Sequence, residues 1–288
     1  MNIESFNRRN LLKFTGLIAA GSGLIGLGGI QYATRIEPEW VEISNIPIRL
    51  TRLHPAFNGY RIVQISDIHM NAWMNHARLA RLVKTVNRLM PDLIVITGDF
   101  ISCEVERYAG DMTSALQSLS SPDGILAVLG NHDHWSNPDL IREALRQAGI
   151  RELRNQTKTI HREQAELHIG GIDSSYEGHD RLDQVLDHMN GHGAAILLAH
   201  EPDFADISSA TGRIDLQLSG HSHGGQVVLP WIGSPFLPPH GRKYPRGLYQ
   251  VDKMVQYTNR GLGTTSYRVR INCRPEITVF TLASCEPV

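Results

Sequence analysis

Residues 218–225 read Leu-Ser-Gly-His-Ser-His-Gly-Gly, directly after an apolar run over residues 214–218. Gly220 can adopt a positive φ, which permits a tight turn at the end of that run. His221 and His223 are two residues apart, so both rings can swing toward one point from such a turn. This arrangement suits metal ligands, but two histidines on a loop are as often a solvated turn. The residues further upstream favour the metal site.

Four earlier apolar runs end in the same kinds of polar residue. These runs, which we predict to be strands, cover residues 60–66, 92–97, 125–129 and 194–199. The polar residues at their ends are Asp67 and His69, Asp99, Asn131 and His132, and His200. Any one of them could be an ordinary turn residue, a cap or a core histidine. Their repeated occurrence at strand ends, together with the two later histidines, indicates one shared site.

Helix-forming segments separate several of these runs. Apolar residues recur at helical spacing over 75–90, where Pro91 stops the pattern, and a second helix is predicted over 107–119. A third begins at Asn137-Pro138, because Asn is a good N-cap and Pro suits the first helical turn. Strands and helices in alternation predict a parallel sheet with right-handed crossovers. Ligands of such sheets bind beyond the carboxyl ends of the strands.

The remaining chain is predicted to be mostly β-structure. Pro47 and the surrounding alternation predict edge strands over 40–43 and 46–50, and Asn58-Gly59 predicts a hairpin turn. Further strands are predicted over 151–154, 157–161, 166–172, 226–229, 247–251, 254–258 and 277–282, with a helix over 180–189. The late strands are expected to complete a second sheet. Residues 230–247, rich in Pro and Gly, predict a long loop over the site.

Composition bounds the class of protein. The chain has 288 residues, with 28 Lys plus Arg against 29 Asp plus Glu. This balance creates no long-range field, so no nucleic-acid partner is expected. Cys103, Cys273 and Cys285 are odd in number and lack Cys-x-x-Cys spacing, which indicates neither a zinc knuckle nor a disulfide framework. The length suits one domain over residues 36–288 after a leader over residues 1–35.

The predicted leader resembles a twin-arginine export signal. Arg8 and Arg9 precede a Gly-rich apolar segment over residues 14–30. An ordinary signal anchor is the alternative, and either would send the folded part across the cytoplasmic membrane to the periplasm or cell envelope. No clear Ala-x-Ala cleavage site precedes Pro38, and residues 11–30 are long enough to span a bilayer. An N-terminal membrane tether therefore stays open, and the twin-arginine translocation machinery is an expected partner.

The ordered motifs carry a family resemblance. Between residues 60 and 282 they read Asp-x-His, Gly-Asp, Gly-Asn-His-Asp, His and Gly-His-x-His, an order that resembles the calcineurin-like metallophosphoesterase superfamily. Residues 220–226, 259–263 and 272–276 are similar to its bacterial, twin-arginine-exported phosphodiesterase branch. The resemblance implies an α/β fold, a four-layer α-β-β-α sandwich of two mixed sheets flanked by helices. It also implies two metals at the sheet ends.

The resemblance further implies which residues hold these metals. Asp67, His69 and His223 would bind one ion, Asn131, His200 and His221 the other, and Asp99 would bridge both. Two divalent ions about 3.5 to 4 Å apart need a shared carboxylate to offset their repulsion. Nitrogen and oxygen ligands without thiolate suit Mn, Fe or Zn and do not rank them.

His132 is not a ligand in this scheme. The resemblance puts it near the leaving group, where an imidazole could donate a proton or stabilise phosphoryl charge. In the protein serine/threonine phosphatases of this superfamily, an Asp three residues after the bridging Asp orients the corresponding histidine. Here that position is Ser102. The difference argues against a phosphoprotein phosphatase and leaves Asp133 or a water molecule to orient His132.

Two sets of residues in the late loops bear on the substrate. Exposed basic residues are more often solvated, but four could hold a second phosphate: Arg242, Lys243, Arg246 and Arg260. The apolar residues Trp231, Phe236 and Leu237 could meet a lipid or a base. They could equally pin the loop to the core, which is the commoner fate of such residues.

The sequence therefore predicts an exported two-metal phosphodiesterase or pyrophosphatase. In it, a metal-bound hydroxide would attack a phosphate ester of the envelope, such as a phospholipid, a UDP-sugar lipid or a wall polymer. A phosphoprotein or phosphomonoester phosphatase is the alternative enzyme. A non-enzymatic metal-binding envelope protein is a third reading, but it would be marked by loss of a ligand or of His132, and every such position is filled.

Overall fold

Two sheets of six strands each form the centre of the computed structural model, which describes residues 28–189, 191–265 and 267–285. The first sheet contains β1 (Glu42–Leu50), β2 (Arg61–Ile65), β3 (Leu93–Thr97), β4 (Ile125–Val128), β5 (Arg151–Glu152) and β12 (Glu276–Ser284). The second contains β6 (Gln156–Arg162), β7 (Ala165–Gly171), β8 (Ala194–Leu198), β9 (Leu216–Ser219), β10 (Gly247–Val251) and β11 (Met254–Thr258). Their orders are β1-β12-β2-β3-β4-β5 and β10-β11-β9-β8-β7-β6.

Helices connect the strands and cover the outer faces. They are α1 (His76–Arg88), α2 (Val105–Leu116), α3 (Asn131–Ser136), α4 (Pro138–Gln147), α5 (Leu182–Asp187) and α6 (Ala205–Ala210). The start predicted for α4 is confirmed: the Asn137 side chain accepts a hydrogen bond from Leu140 N, and Pro138 occupies the first turn. An Asn75 side chain caps α1 in the same way.

Three apolar layers hold the elements together. Between the sheets, buried side chains include Ile62, Val95, Leu167, Ile196 and Leu216. Outside the first sheet, residues of α1, α2 and α4 bury against it, among them Leu79, Met112 and Ile141. Outside the second sheet, residues of α5 and α6 do the same, among them Val185 and Ala205. The predicted four-layer sandwich of two mixed sheets flanked by helices is confirmed.

β12 corrects two predictions about the sheets. The strand predicted over 277–282 exists, but it lies in the first sheet, parallel to β1 and antiparallel to β2. Apolar alternation identifies a strand without identifying its neighbours, so the assignment to the second sheet was wrong. β12 also separates β1 from β2, so Asn58-Gly59 cannot close a hairpin between them. Instead Gly59 forms a turn at φ 81° and its N–H donates to Leu282 O over 2.8 Å.

The strand predicted over 226–229 is also wrong. Only isolated bridges form there, Val227 with Ile271 and Leu229 with Gly233. Gln226 has φ 57°, which interrupts an extended strand at its start.

The N-terminal part of the described chain already contacts the domain. Ala33 is buried, and its carbonyl accepts a hydrogen bond from Arg270 N over 2.9 Å. Residues 1–27, which include the predicted twin-arginine motif, lie outside the described residues. Within the part of the chain that is described, no helix combines the length and apolar character needed to cross a membrane.

Candidate metal centre

The predicted site residues follow neighbouring strands. β2, β3 and β4 are adjacent and parallel in the first sheet, and β8 and β9 are adjacent and parallel in the second. Backbone hydrogen bonds join the loops at their carboxyl ends: Asp67 N donates to Gly98 O over 2.9 Å, and Gly220 N donates to His200 O over 3.0 Å. A bond across the sheets, from His221 N to Asp67 Oδ1 over 3.0 Å, links the two sets of loops.

The first group of converging side chains consists of Asp67, His69, Asp99 and His223, all buried. One atom of each lies within 4.8 Å of one atom of every other. His69 Nε2 is 2.9 Å from His223 Nε2, and His223 Nε2 is 3.3 Å from Asp67 Oδ1. Two imidazole nitrogens and a carboxylate oxygen therefore point at one place, as the ligands of a cation do.

The second group shares Asp99 with the first. Asp99, His200 and His221 also lie within 4.8 Å of one another. The Asp99 Oδ2 atom is 3.2 Å from His200 Nε2 and 3.5 Å from His69 Nε2, so it lies between the two groups. Asn131 is buried and lines the same cavity as His221. The structure thus brings six of the seven suggested ligands into two groups and places Asn131 at the wall of the adjoining cavity.

Four polar atoms at this centre have no hydrogen-bond partner among the described residues. They are Asp99 Oδ2, Asn131 Oδ1 and His200 Nε2, together with Nδ1 of His223, the ring whose Nε2 faces the first group; all are buried. Leaving a buried polar atom unpaired costs about 1 to 3 kcal/mol, so such atoms are rarely left unpaired without a reason. A carboxylate, an amide oxygen and imidazoles are donors that first-row divalent metals accept. The residues present fit a pair of such ions.

Hydrogen bonds on the far side of three rings fix which nitrogen faces the centre. His200 Nδ1 lies 2.6 Å from Thr97 O and His221 Nε2 lies 2.7 Å from Pro239 O. A carbonyl only accepts, so these nitrogens each carry a proton, and when the ring is neutral its other nitrogen has a lone pair for a metal. His69 Nδ1 contacts Ser102 Oγ, which leaves its Nε2 toward the other ligands.

Burial and neighbouring charge set the protonation of the centre. Burial lowers the pKa of His69 to about 3 and holds that of His223 well below its ordinary value, which keeps both rings neutral. Burial raises the pKa of Asp67 to about 7. Burial would also raise the pKa of Asp99, but His200, His69 and His132 together outweigh it and hold that pKa well below normal. A buried carboxylate kept ionised in this way attracts positive charge, whether from a proton on His200 or from a metal.

The backbone at the centre is unusual. Five of the seven residues have left-handed φ values between 48° and 69°: Asp67, His69, Asp99, His221 and His223. Such φ values are uncommon outside Gly, Asn, Asp and His, and they cluster at functional sites. Gly220 is needed for close packing, since a Cβ there would lie 2.4 Å from Asp67 Oδ2.

His132 lies beside the first group. Its ring is edge-on to His69, with centroids 4.9 Å apart, and packs at 4.8 Å against Trp135. The suggestion that Asp133 orients this ring is wrong. The Asp133 carboxylate is buried and accepts hydrogen bonds from the backbone N–H groups of Asp99, Phe100, Ile101 and Gly130. It therefore shapes the Asp99 loop.

The family profile of the calcineurin-like phosphoesterases matches residues 60–225, more than half of the chain. The chain belongs to the calcineurin-like phosphoesterase family. The predicted class, a metal-dependent phosphoric ester hydrolase, is confirmed by this membership together with its relatives.

Several curated relatives of this phosphoesterase span almost its whole length. It is 36% identical to the uncharacterized metallophosphoesterase YkuE of Bacillus subtilis, over 98% of this chain and 99% of that protein. It is 29% identical to the phosphodiesterase YaeI of Escherichia coli, over 96% and 99% of the two chains. It is also 27% identical to the UDP-2,3-diacylglucosamine pyrophosphatase LpxG of Chlamydia muridarum, over 86% and 91%.

Two cavities of the phosphoesterase meet at His132. Each has a volume of about 690 Å³. The first lies toward His221, Tyr176 and Phe236, and the second toward Trp73 and Arg268. Both are also lined by Trp135 and Thr265. The sequence analysis did not identify five of these lining residues: Trp73, Trp135, Tyr176, Thr265 and Arg268. The signal available for Trp135 was its position three residues after His132; nothing marked Tyr176 or Thr265.

Some of the late-loop residues that could contact the substrate are already paired within the fold, and others are exposed or line the first cavity. Arg260 makes ion pairs with Glu276 and Glu42, and Lys243 pairs with Asp206, so neither is free for a phosphate. Arg242 lines the first cavity. Trp231 and Phe236 are exposed, so they do not pin the loop to the core. Leu237 is half-buried and forms part of the wall of the first cavity.

Proposed function

We propose that this phosphoesterase is a two-metal phosphodiesterase or pyrophosphatase acting on an ester of the cell envelope. The observation that carries the proposal is the convergence of six buried residues into two groups that share one carboxylate oxygen, Asp99 Oδ2, with Asn131 buried beside them. A single-ion or purely structural cluster would not need a shared oxygen left without a hydrogen-bond partner.

In this proposal one divalent ion is held by Asp67, His69 and His223, the other by Asn131, His200 and His221, and Asp99 bridges them. When bound, the pair supplies Lewis acidity at the phosphoryl group and lowers the pKa of a water molecule. Mn, Fe and Zn all suit this donor set.

The chain's own residues do the remaining work. The His132 backbone N–H donates to Asp99 Oδ1 over 3.0 Å, which holds the His132 backbone beside the carboxylate proposed as the bridge. Contact with the Trp135 ring limits where the imidazole can turn. We assign His132 the role of proton donor to the leaving oxygen, because it lies where both cavities meet.

The two cavities support a diester over a monoester. A phosphodiester or pyrophosphate carries a substituent on each side of the scissile bond, and a cavity extends to each side of His132. A phosphomonoester would leave one of them without a function. Ser102 supports the same choice, because its hydroxyl contacts His69 and not His132.

The substrate class is proposed from the relatives. One is named a phosphodiesterase and another a UDP-2,3-diacylglucosamine pyrophosphatase, and the second name supports a lipid-linked phosphate ester as the substrate. Envelope location follows from the predicted leader. A phospholipid, a UDP-sugar lipid and a wall polymer all meet these conditions.

One assay tests the proposed reaction. Purified protein supplied with Mn²⁺ is incubated with bis(p-nitrophenyl) phosphate, p-nitrophenyl phosphate and a phosphoserine peptide, each with and without a chelator. We expect the diester to have the highest kcat/KM and the chelator to abolish turnover. Activity that survives the chelator would contradict the metal mechanism, and preference for the phosphopeptide would favour the alternative phosphatase.

A further inference from the structure

Three large apolar side chains stand exposed on one short loop, which we call the Pro-rich loop (residues 230–239). Trp231 is 101% exposed, Ile232 73% and Phe236 83%. Single exposed apolar residues are ordinary, but a cluster within six positions marks an interaction surface. Removing such side chains from water is favourable, so they are available to bind an apolar partner.

The Pro-rich loop is held in place. Leu229 and Gly233 exchange two backbone hydrogen bonds of 2.9 Å. Ser234 Oγ donates to Gly224 O over 3.2 Å, which fastens the loop to the residue after the candidate ligand His223. Four prolines, at positions 230, 235, 238 and 239, further restrict the backbone. The apolar side chains are therefore presented to a partner without a large loss of loop entropy.

The N-terminal segment reaches the surface beside this loop. Ile271 exchanges backbone hydrogen bonds with residues 226 and 228, directly before the Pro-rich loop. The preceding residue, Arg270, donates from its backbone to Ala33. The segments at residues 33 and 228 therefore both pair with one stretch of chain, residues 270–271. The sequence before residue 33 contains the stretch over 11–30 that is long enough to span a bilayer.

Positive charge at the edge of the Pro-rich loop favours binding to a negatively charged surface. Arg242 and Arg246 follow the Pro-rich loop and are exposed. Neither forms an ion pair with a carboxylate in the part of the chain that the structure describes. Basic residues near an anionic bilayer strengthen binding to it. An aromatic and aliphatic tip with a basic rim is the pattern of a surface that enters the lipid interface.

We propose that the Pro-rich loop docks on a phospholipid bilayer with anionic head groups, with Trp231 and Ile232 inserted. Phe236 and Leu237 line the first cavity from the same loop, so docking would open that cavity toward the lipid surface. A phosphate ester anchored by acyl chains could then reach His132 without leaving the bilayer. This part rests on the proposed function; the docking itself does not.

Quenching of tryptophan fluorescence tests the docking. The full chain and its Trp231→Phe variant are mixed with phosphatidylglycerol and phosphatidylcholine vesicles whose acyl chains carry bromine. The difference between the two proteins isolates Trp231. We expect its emission to shift to the blue and to be quenched by the brominated chains. Unquenched Trp231 in vesicle-bound protein would overturn the proposal, as would burial of Trp231 in a concentration-dependent dimer without lipid.

Steady-state kinetics test whether docking of the Pro-rich loop gives the enzyme access to a substrate embedded in the bilayer. In the Trp231→Ser, Ile232→Ser double variant, hydrolysis of a vesicle-embedded phosphodiester should fall about tenfold or more, while soluble diester turnover stays unchanged. Ile207→Ser, which removes an exposed apolar residue of α6, is the matched control and should change neither rate. Equal loss with both substrates, or loss with neither, would contradict docking. The fluorescence readout needs no catalysis, so it separates failure of docking from failure of the proposed reaction.

Discussion

At the scale of single residues, the candidate metal centre depends on hydrogen-bond partners that contact the far side of the candidate ligands. The carbonyls of Thr97 and Pro239 hold the rings of His200 and His221 by hydrogen bonds, and the Ser102 hydroxyl contacts His69. Such partners fix the tautomer and the ring angle, and their loss typically weakens metal binding 10-fold to 100-fold. Spacing in a sequence reveals ligands; it does not reveal these contacts, which join distant segments.

The role assigned to His132 gives a prediction about leaving groups. In His132→Ala, the kcat for a diester with a p-nitrophenolate leaving group should fall little, because that group departs without a proton. A diester with an alkoxide leaving group should lose about 100-fold to 10,000-fold in kcat, the usual value of general-acid help. Steady-state rates on both substrates make the comparison, with the exposed His161→Ala as a control. If both substrates slow equally, His132 binds phosphate and does not donate a proton.

At the scale of elements, an ion pair ties α3 after the first sheet to the segment after β7 in the second. His134 Nε2 lies 2.6 Å from Asp173 Oδ1, and Arg142 and Arg154 contact the other oxygen of that carboxylate. The hydrogen bond to Asp173 raises the pKa of His134 above its ordinary value. Hydrogen bonds between charged partners are worth about 1.5 to 3 kcal/mol.

This pair predicts a pH dependence of stability. Because the folded pKa of His134 is raised, its contribution is fully present below the unfolded pKa, about 6.5, and is lost as pH rises through the folded value. The free energy of unfolding in urea should therefore favour the wild type over His134→Gln at pH 6. That advantage should shrink by pH 9. A difference that is constant or grows with pH would show that the ring acts through packing.

Most elements were predictable because their apolar periodicity is strong. The sequence places β2, β3, β4 and β8 within two residues of their ends, and the capping pair at 137–138 gives the start of α4. It misses α3 because residues 131–136 carry polar and functional side chains instead of an apolar stripe. It also cannot tell which sheet receives β12, since that depends on contacts across more than 200 residues.

At the scale of the whole molecule, the positions of the candidate ligands were predictable and the cavities were not. Polar residues after apolar strands identify the centre because parallel strands end at one edge. The two cavities depend on side chains from separate loops, such as Tyr176 and Thr265, which no local pattern connects. The exposure of Trp231, Ile232 and Phe236 was likewise not predictable, because it depends on the hydrogen bonds that hold the Pro-rich loop to other segments.

Export is a property of the whole chain, and Arg8 and Arg9 make it testable. We propose that the protein leaves the cytoplasm by the twin-arginine route, which requires the guanidinium pair and not just positive charge. Replacing both residues with Lys should leave the folded protein in the cytoplasmic fraction, whereas replacing the later Arg35 with Lys should not. Unchanged export of the double Lys variant would point to an ordinary signal anchor.

The central claim is that one carboxylate, Asp99, joins two metal sites. Elemental analysis of the purified protein, reconstituted with Mn²⁺ and freed of excess metal, measures this most directly. We predict about two ions per chain for the wild type and for Asp139→Ala, whose carboxylate is exposed. For Asp99→Ala we predict nearly none, because both sites lose a ligand and the shared charge that offsets their repulsion. Two ions per chain in Asp99→Ala, or none in the wild type, would contradict the account.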